Sequence, residues 1–296
     1  MWLIKRLYAD LLKVIELMLG IDAAKIFDTR LRFHKRLNLK SPETLSEKVT
    51  YIELHKQSGL AIQCTDKYAV REYVKSKDLE KILIPIVGGP WEKSDEIDFD
   101  NLPDKYVIKA THGCKMNYVV TDVNVLNIAN CKKTLNRWLN TTYGSYSIEP
   151  HYKHIPHRIY AEYYLDGIDD LIDYKFHCFN GKPEFVLTCS NRIISSIDAR
   201  MSVTLDLFDM DWNHIPEIEG INSEIAGRGN VERPKSFDEM ITIAEILSKD
   251  IPFVRIDLYE YKERVLFGEM TFSPACCVFP YFSDKFDKEM GKKLII

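Results

Sequence analysis

The chain has 296 residues, 46% of them hydrophobic, enough to bury a sizeable core in two or three subdomains. A formal net charge of −4 excludes the global basic field that gathers nucleic acid. Seven cysteines, an odd number with no C-x-x-C pair, argue against a disulfide framework and for a reducing, cytoplasmic compartment.

Trp2 to Leu19 is apolar but interrupted by Lys5, Arg6, Asp10, Lys13 and Glu16, which excludes a spanning helix and a signal-peptide core. Leu3, Leu7, Leu11, Ile15 and Met18 recur at helical spacing, so the segment reads as an amphipathic helix. Packing onto its own domain is the default. Peripheral contact with an anionic membrane is the alternative, helped by Arg30, Arg32, Lys35, Arg36 and Lys40. Ser41-Pro42 can open a helix, with Thr44 and Glu47 as a second capping option, and Gly59 stops it. Asp66 caps a helix over Lys67–Lys75. A strand over Ile82–Val87 is closed by Gly88-Gly89-Pro90.

Tyr106–Ala110 is a short strand that runs into the turn Thr111 to Asn117, with Lys109 near its tip; Val119 and Val120 begin the next strand. A helix over Ile128–Asn140 and a strand over Arg158–Leu165 follow. From Leu171 to Phe179, Asp173, Lys175 and His177 alternate with Tyr174, Phe176 and Cys178, and Asn180-Gly181 signals a tight hairpin to Glu184–Ser190. Val203–Phe208 is a further strand, Glu219–Arg233 a mobile loop, and Ser236 caps the last helix before the C-terminal hairpin.

That hairpin, Phe253 to Pro274, carries the chemistry. A three-residue loop over Lys262–Arg264 sets Asp257 opposite Glu269 and Arg255 opposite Thr271 on one face. Two carboxylates directly opposed repel unless a cation lies between them. Two readings stay open here: a divalent ion shared with substrate phosphates, or a solvated pair with Arg255 as partner. No Walker P-loop and no G-x-G-x-x-G occurs. What remains is a distributed set, Lys67, Lys109 and Lys175 with the Asp257/Glu269 pair, the parts needed to hold a triphosphate through Mg²⁺.

Five stretches carry a resemblance: Asp66–Val74, Val107–Gly113, Asp173–Gly181, Pro252–Tyr259 and Phe267–Pro274. In order and spacing, from about Leu37 to Pro274, they resemble the TupA-like ATP-grasp family, associated with teichuronic acid, capsule and other surface polysaccharide gene clusters. The resemblance implies an α+β, ATP-grasp fold: two α+β subdomains gripping ATP between antiparallel sheets, after a helical N-terminal region. The expected segments are 1–103, 104–165 and 166–296. It further implies phosphate contacts from Lys109 and Lys175 with help from Lys67, a loop of Thr111, His112, Gly113 and Lys115, and adenine read near Glu162. Asp257, Glu269 and Thr271 would hold Mg²⁺, and Arg255 with Lys175 would serve phosphoryl transfer to a carboxylate, followed by attack of an amine or other nucleophile. The implied substrate is a small molecule or glycan precursor; the oligomeric state is not specified.

Three departures bear on activity. Cys114-Lys115-Met116 fills a loop that is small-residue in the family, which obstructs a backbone phosphate cradle. Cys276-Cys277 replaces a small-residue turn after the hairpin. With Tyr163 standing where a second acidic residue is common after Glu162, these leave open a weakened ATPase or an altered donor. The alternative readings are a glycosyltransferase of capsule assembly and, motivated by the filled loop, a non-catalytic binding subunit. Asp209-Met-Asp211 mimics the Asp-x-Asp metal motif of the former, though a turn explains it equally well. Arg192 and Arg200 could bind an anionic acceptor. His151, His154 and His157 suggest zinc by composition, but Pro150 and Pro156 break the helix that would align them, so a polar loop is expected.

Overall fold

The computed structural model describes residues 2–56, 58–144, 148–167, 171–194, 201–218 and 225–296. Its contacts group the chain into two units: Met1–Gln57, Ser145–Pro150 and Asp169–Ile296 in the larger, Ser58–Gly144 and His151–Ile168 in the smaller. The three-segment expectation cuts the chain differently. The early helices group with the C-terminal sheet, and the short return at 148–150 is tied into the same unit by Ser273 Oγ donating to Glu149 Oε1 at 2.6 Å.

In the larger unit α1 (Trp2–Leu19) and α2 (Ile21–Phe33) turn at Gly20, whose φ of 89° favours glycine. They bury Leu12 and Ala24 with Ile148. Helix α3 (Leu45–His55) starts at Thr44, not at Ser41-Pro42. Thr44 Oγ1 accepts the Glu47 N–H at 3.2 Å while Glu47 Oε2 accepts the Thr44 N–H at 3.0 Å, a reciprocal cap that satisfies two donors at once.

The smaller unit follows with α4 (Gly59–Thr65), α5 (Val70–Ser76), β1 (Ile86–Trp91), β2 (Tyr106–Ala110), β3 (Asn117–Val120), α6 (Ile128–Leu139) and β4 (Ile159–Tyr163). Gly59 begins α4 rather than stopping α3, because Ser58 Oγ caps the Ala61 N–H at 3.1 Å. Asp66 accepts from the N–H groups of Tyr68 and Ala69 at 2.8 and 3.0 Å, and α5 starts one turn later than expected. The first strand also lies further on than Ile82–Val87. Ile82 closes a 3-10 turn, and Gly88-Gly89-Pro90 sits inside β1 because β1 is an edge strand, where irregular pairing and proline are tolerated. The sheet order is β1-β4-β2-β3; α6 covers one face, with Cys131, Leu135 and Trp138 in a common core with Tyr106, Ile108 and Ile159.

The larger unit resumes with β5 (Asp173–Phe179), β6 (Lys182–Ile194), β7 (Met201–Phe208), α7 (Phe237–Ser248), β8 (Phe253–Tyr261), β9 (Arg264–Thr271) and α8 (Asp284–Lys293). The antiparallel sheet runs β7-β6-β5-β8-β9. Helix α7 packs on the face of Phe176, where the Phe176 and Phe237 ring centroids lie 5.7 Å apart. On the opposite face an aromatic cluster, including Phe185, Phe253, Phe279 and Phe282, packs with α3 and α8. Gly291 lets α8 approach closely: a Cβ there would meet Glu43 O at 2.1 Å. Of the expected loop Glu219–Arg233, residues 219–224 lie outside the described residues. The rest is anchored on buried Asp206, which accepts the Gly229 N–H at 2.7 Å.

Candidate active site

The C-terminal hairpin reaches its expected pairing by an unexpected route. Its turn has two residues, Lys262 and Glu263, both at positive φ, so Tyr261 faces Arg264. In that register Asp257 would meet Gly268 and Glu269 would point to the other face. A bulge at Gly268 takes up the extra residue, and from there Asp257 faces Glu269, Ile256 faces Met270 and Arg255 faces Thr271. Glycine fits this position because a Cβ would meet the Tyr259 ring at 2.8 Å and Asp257 O at 3.0 Å.

Strand β5 lies on the other side of β8, with Lys175 opposite Asp257. One row across three strands therefore reads Lys175, Asp257, Glu269. Lys175 Nζ donates to Asp257 Oδ2 and Asp173 Oδ2, both at 2.5 Å. Arg255 donates to Asp257 Oδ1 and Oδ2 at 2.6 and 2.7 Å, to Glu269 Oε1 at 2.9 Å and to Thr271 Oγ1 at 3.0 Å. The cation between the opposed carboxylates is thus the Arg255 guanidinium.

Burial sets the electrostatics. The Asp257 side chain is 2% exposed, Lys175 12% and Glu269 29%, so the site opens at Glu269. Burial acts to lower the Lys175 pKa, but Asp173 and Asp257 outweigh it and the ammonium is held charged. Arg255 is likewise held charged against burial by Asp257 and Glu269. His177, stacked on Phe185 at 4.4 Å, is pushed well below the usual imidazole range by burial and then by Arg255, so it stays neutral.

In the smaller unit Lys109 and Glu162 form an ion pair on the sheet face opposite α6, and Arg71 reaches Glu162 at 3.4 Å. Glu162 is 5% exposed. Tyr160 Oη donates to Lys67 O at 3.1 Å, and the Lys67 N–H donates to Thr111 O at 3.2 Å, which brings the Lys67 backbone beside the loop. Arg158 pairs with Asp66 at 2.8 Å. Reading the sequence residue by residue missed Arg71, Arg158 and Asp173 as partners. An ion pair between residues some ninety positions apart, as for Arg71–Glu162, has no local spacing to reveal it.

The loop after β2 uses part of its chemistry internally. Thr111 Oγ1 donates to Pro156 O at 2.7 Å and accepts the Arg158 N–H at 3.2 Å. His112 is fully buried, stacks on His157 at 3.9 Å, and its Nε2 lies 3.0 Å from Trp138 O. Both side chains fasten the loop to its own unit, leaving backbone and Lys115 for a ligand. Met116 is buried under Gly113, where a Cβ would meet its Sδ at 2.9 Å, and exposed Lys115 stands at φ 58°.

The remaining candidates resolve simply. Asp209 Oδ1 accepts the N–H groups of Asp211 and Asn213 at 3.0 and 2.7 Å, so it organises a turn. Among the described residues no cluster of three or more His, Cys, Asp or Glu side chains could hold a metal, zinc at His151, His154 and His157 included. Arg200 and the Arg192 side chain lie outside the described residues.

Comparison with curated proteins yields no match. Among solved structures the chain is similar to D-alanine–D-alanine ligase from Bacillus anthracis at 12% identity and a TM-score of 0.46, covering 78% of this chain and 67% of that one. The corresponding ligase from Helicobacter pylori gives 11%, 0.46, 85% and 69%. D-cycloserine synthetase DcsG gives 12%, 0.44, 83% and 74%. Residues 47–295 match the family described as TupA-like ATPgrasp, a span that holds every site residue named above. The chain belongs to the TupA-like ATP-grasp family.

Proposed function

We propose that the chain is an ATP-dependent ligase that activates a carboxylate as an acyl phosphate and joins it to an amine or similar nucleophile. The observation that carries this reading is the row Lys175, Asp257, Glu269 on three neighbouring strands, closed by Arg255. Two opposed carboxylates and a hydroxyl, Thr271 Oγ1 at 3.0 Å from Glu269 Oε1, form the hard oxygen set suited to Mg²⁺ that shares substrate phosphates. Asp257 and Glu269 would hold the ion, with Thr271 beside them; when bound, it supplies charge neutralisation at the phosphate oxygens.

The chain's own residues supply the rest. Lys175, held charged by Asp173 and Asp257, and Lys109 would meet phosphate oxygens, each now paired with a carboxylate that keeps it in place. Arg255 has four donor contacts to Asp257, Glu269 and Thr271, and it would turn from them toward charge developing on the transferred phosphoryl group. Glu162 would lie along the adenine. A substrate carboxylate oxygen would attack the γ-phosphorus, the bond to the β-phosphate oxygen would break, and ADP would leave. The amine nitrogen would then attack the acyl carbon, losing a proton as phosphate departs. No protein nucleophile is required.

We place the substrate among cell-surface glycan precursors of the capsular or teichuronic kind, on the strength of the family's gene-cluster association. A second reading, a binding subunit without turnover, draws support from the loop in which Met116 fills the space under Gly113. Incubation with ATP, Mg²⁺, pooled carboxylates and hydroxylamine separates the readings. The ligase yields ADP, phosphate and a hydroxamate. Nucleotide binding without ADP favours the binding subunit; in a parallel incubation with a sugar nucleotide, transfer of its sugar to an acceptor with no ADP formed from ATP would establish a glycosyltransferase.

A further inference from the structure

Helix α1 has more apolar surface than its packing uses. Tyr8, Leu12 and Ile15 face its own unit, yet Leu7, Leu11, Val14 and Met18 form a second stripe that is 46–75% exposed. At the turn into α2, Leu17, Met18 and Leu19 are 87%, 75% and 72% exposed. Of the fifteen large apolar side chains exposed among the described residues, nine fall between Leu7 and Leu31. Scattered exposure would need no explanation; this concentration does.

The charge beside it has one sign. From Arg30 to Lys40 there are five cations and no acidic residue. Arg30, Arg36 and Lys40 are exposed. The nearby acids are partly engaged: Asp28 is buried under Arg32 and Tyr8, and Asp22 meets His55 at 2.8 Å. Glu16 lies on α1 away from the apolar stripe, whereas Asp10, three residues from Leu7 and four from Val14, is an exposed acid at its edge. Among the described residues no helix is long and apolar enough to cross a membrane. An apolar helix face and apolar turn beside a basic stretch in which Arg30, Arg36 and Lys40 are exposed, while Arg32 pairs with Asp28 and Lys35 lies 3.6 Å from Asp287, are the parts of a segment that lies in the plane of an anionic lipid surface.

We infer that α1, its turn into α2, and the basic stretch Arg30–Lys40 dock the chain on an anionic bilayer, with Leu17, Met18 and Leu19 entering the headgroup boundary. A second copy of the chain is the competing occupant. Pairing through this face would bring like basic stretches toward one another, whereas anionic headgroups neutralise them. The inference stands apart from the ligase reading.

Flotation of the whole chain with phosphatidylcholine vesicles, with and without phosphatidylglycerol, tests it. The expected result is flotation with the anionic vesicles only, weakening as salt is raised. Replacing Leu17, Met18 and Leu19 together by Gln should abolish flotation without changing the melting temperature. Arg36→Gln with Lys40→Gln should weaken it about tenfold or more. The inference is overturned if the unaltered chain stays unbound, or if the triple variant floats as well as the original. It is also overturned if sedimentation shows a dimer that the triple variant dissolves while the original chain does not float.

Discussion

Asp257 is the residue on which two buried cations depend. Removing one partner of a buried ion pair leaves its counter-charge uncompensated, typically at about 3–5 kcal/mol. Asp257→Asn should therefore cost stability on that scale, since Lys175 and Arg255 both contact the carboxylate. Glu269→Gln, at a 29% exposed site, should cost under about 2 kcal/mol. Urea unfolding of the two variants gives the comparison; equal losses would show that Asp257 does not anchor the cluster. His177 supplies a pH test. Its folded pKa is depressed, first by burial and then by Arg255, so below about pH 6.5 the unfolded chain binds a proton that the folded chain does not. Stability should fall as pH drops, by up to about 1.4 kcal/mol per unit for this group. His112, also depressed by burial, adds in the same direction. His177→Phe, placed among Phe185, Phe253, Phe279 and Phe282, should reduce the slope and leave only the remaining groups' share.

At the scale of elements, the C-terminal hairpin shows what sequence discloses and what it hides. The alternation of Arg255 and Asp257 against Glu269 and Thr271 was legible, because one buried face fixes parity. The turn was not. Lys262 and Glu263 occupy left-handed backbone that glycine and asparagine adopt more readily, so nothing in their chemistry announced a two-residue loop. Gly268 then absorbed the difference as a bulge. Lys262→Asn with Glu263→Gly should stabilise the fold by about 1 kcal/mol in thermal or urea unfolding, and no gain would contradict the turn geometry. Gly268→Val should do the opposite, costing about 1–3 kcal/mol, because its Cβ would meet the Tyr259 ring and the Asp257 carbonyl. Ser41-Pro42 as a helix opening and Gly59 as a helix stop mislead for the same reason. Local signals compete, and the reciprocal Thr44–Glu47 cap and the Ser58 cap were decided by which neighbours were already satisfied.

For the whole molecule, the order of five short stretches along the chain carried more than any composition. Net charge and hydrophobic fraction excluded classes, while motif order singled out the family that the match over residues 47–295 supports. The grouping of α1–α3 with the C-terminal sheet was invisible in sequence, because the contacts that make it join residues more than two hundred apart, such as Ser46 with Asp287. Pairings at that distance are set by the finished fold. The measurement that bears most directly on the central claim is calorimetric titration of the folded chain with ATP, with and without Mg²⁺. The account predicts Mg²⁺-dependent binding that Glu269→Gln weakens at least about tenfold while the fold persists. Binding of equal strength in Glu269→Gln, or no ATP binding by the unaltered chain, would contradict it.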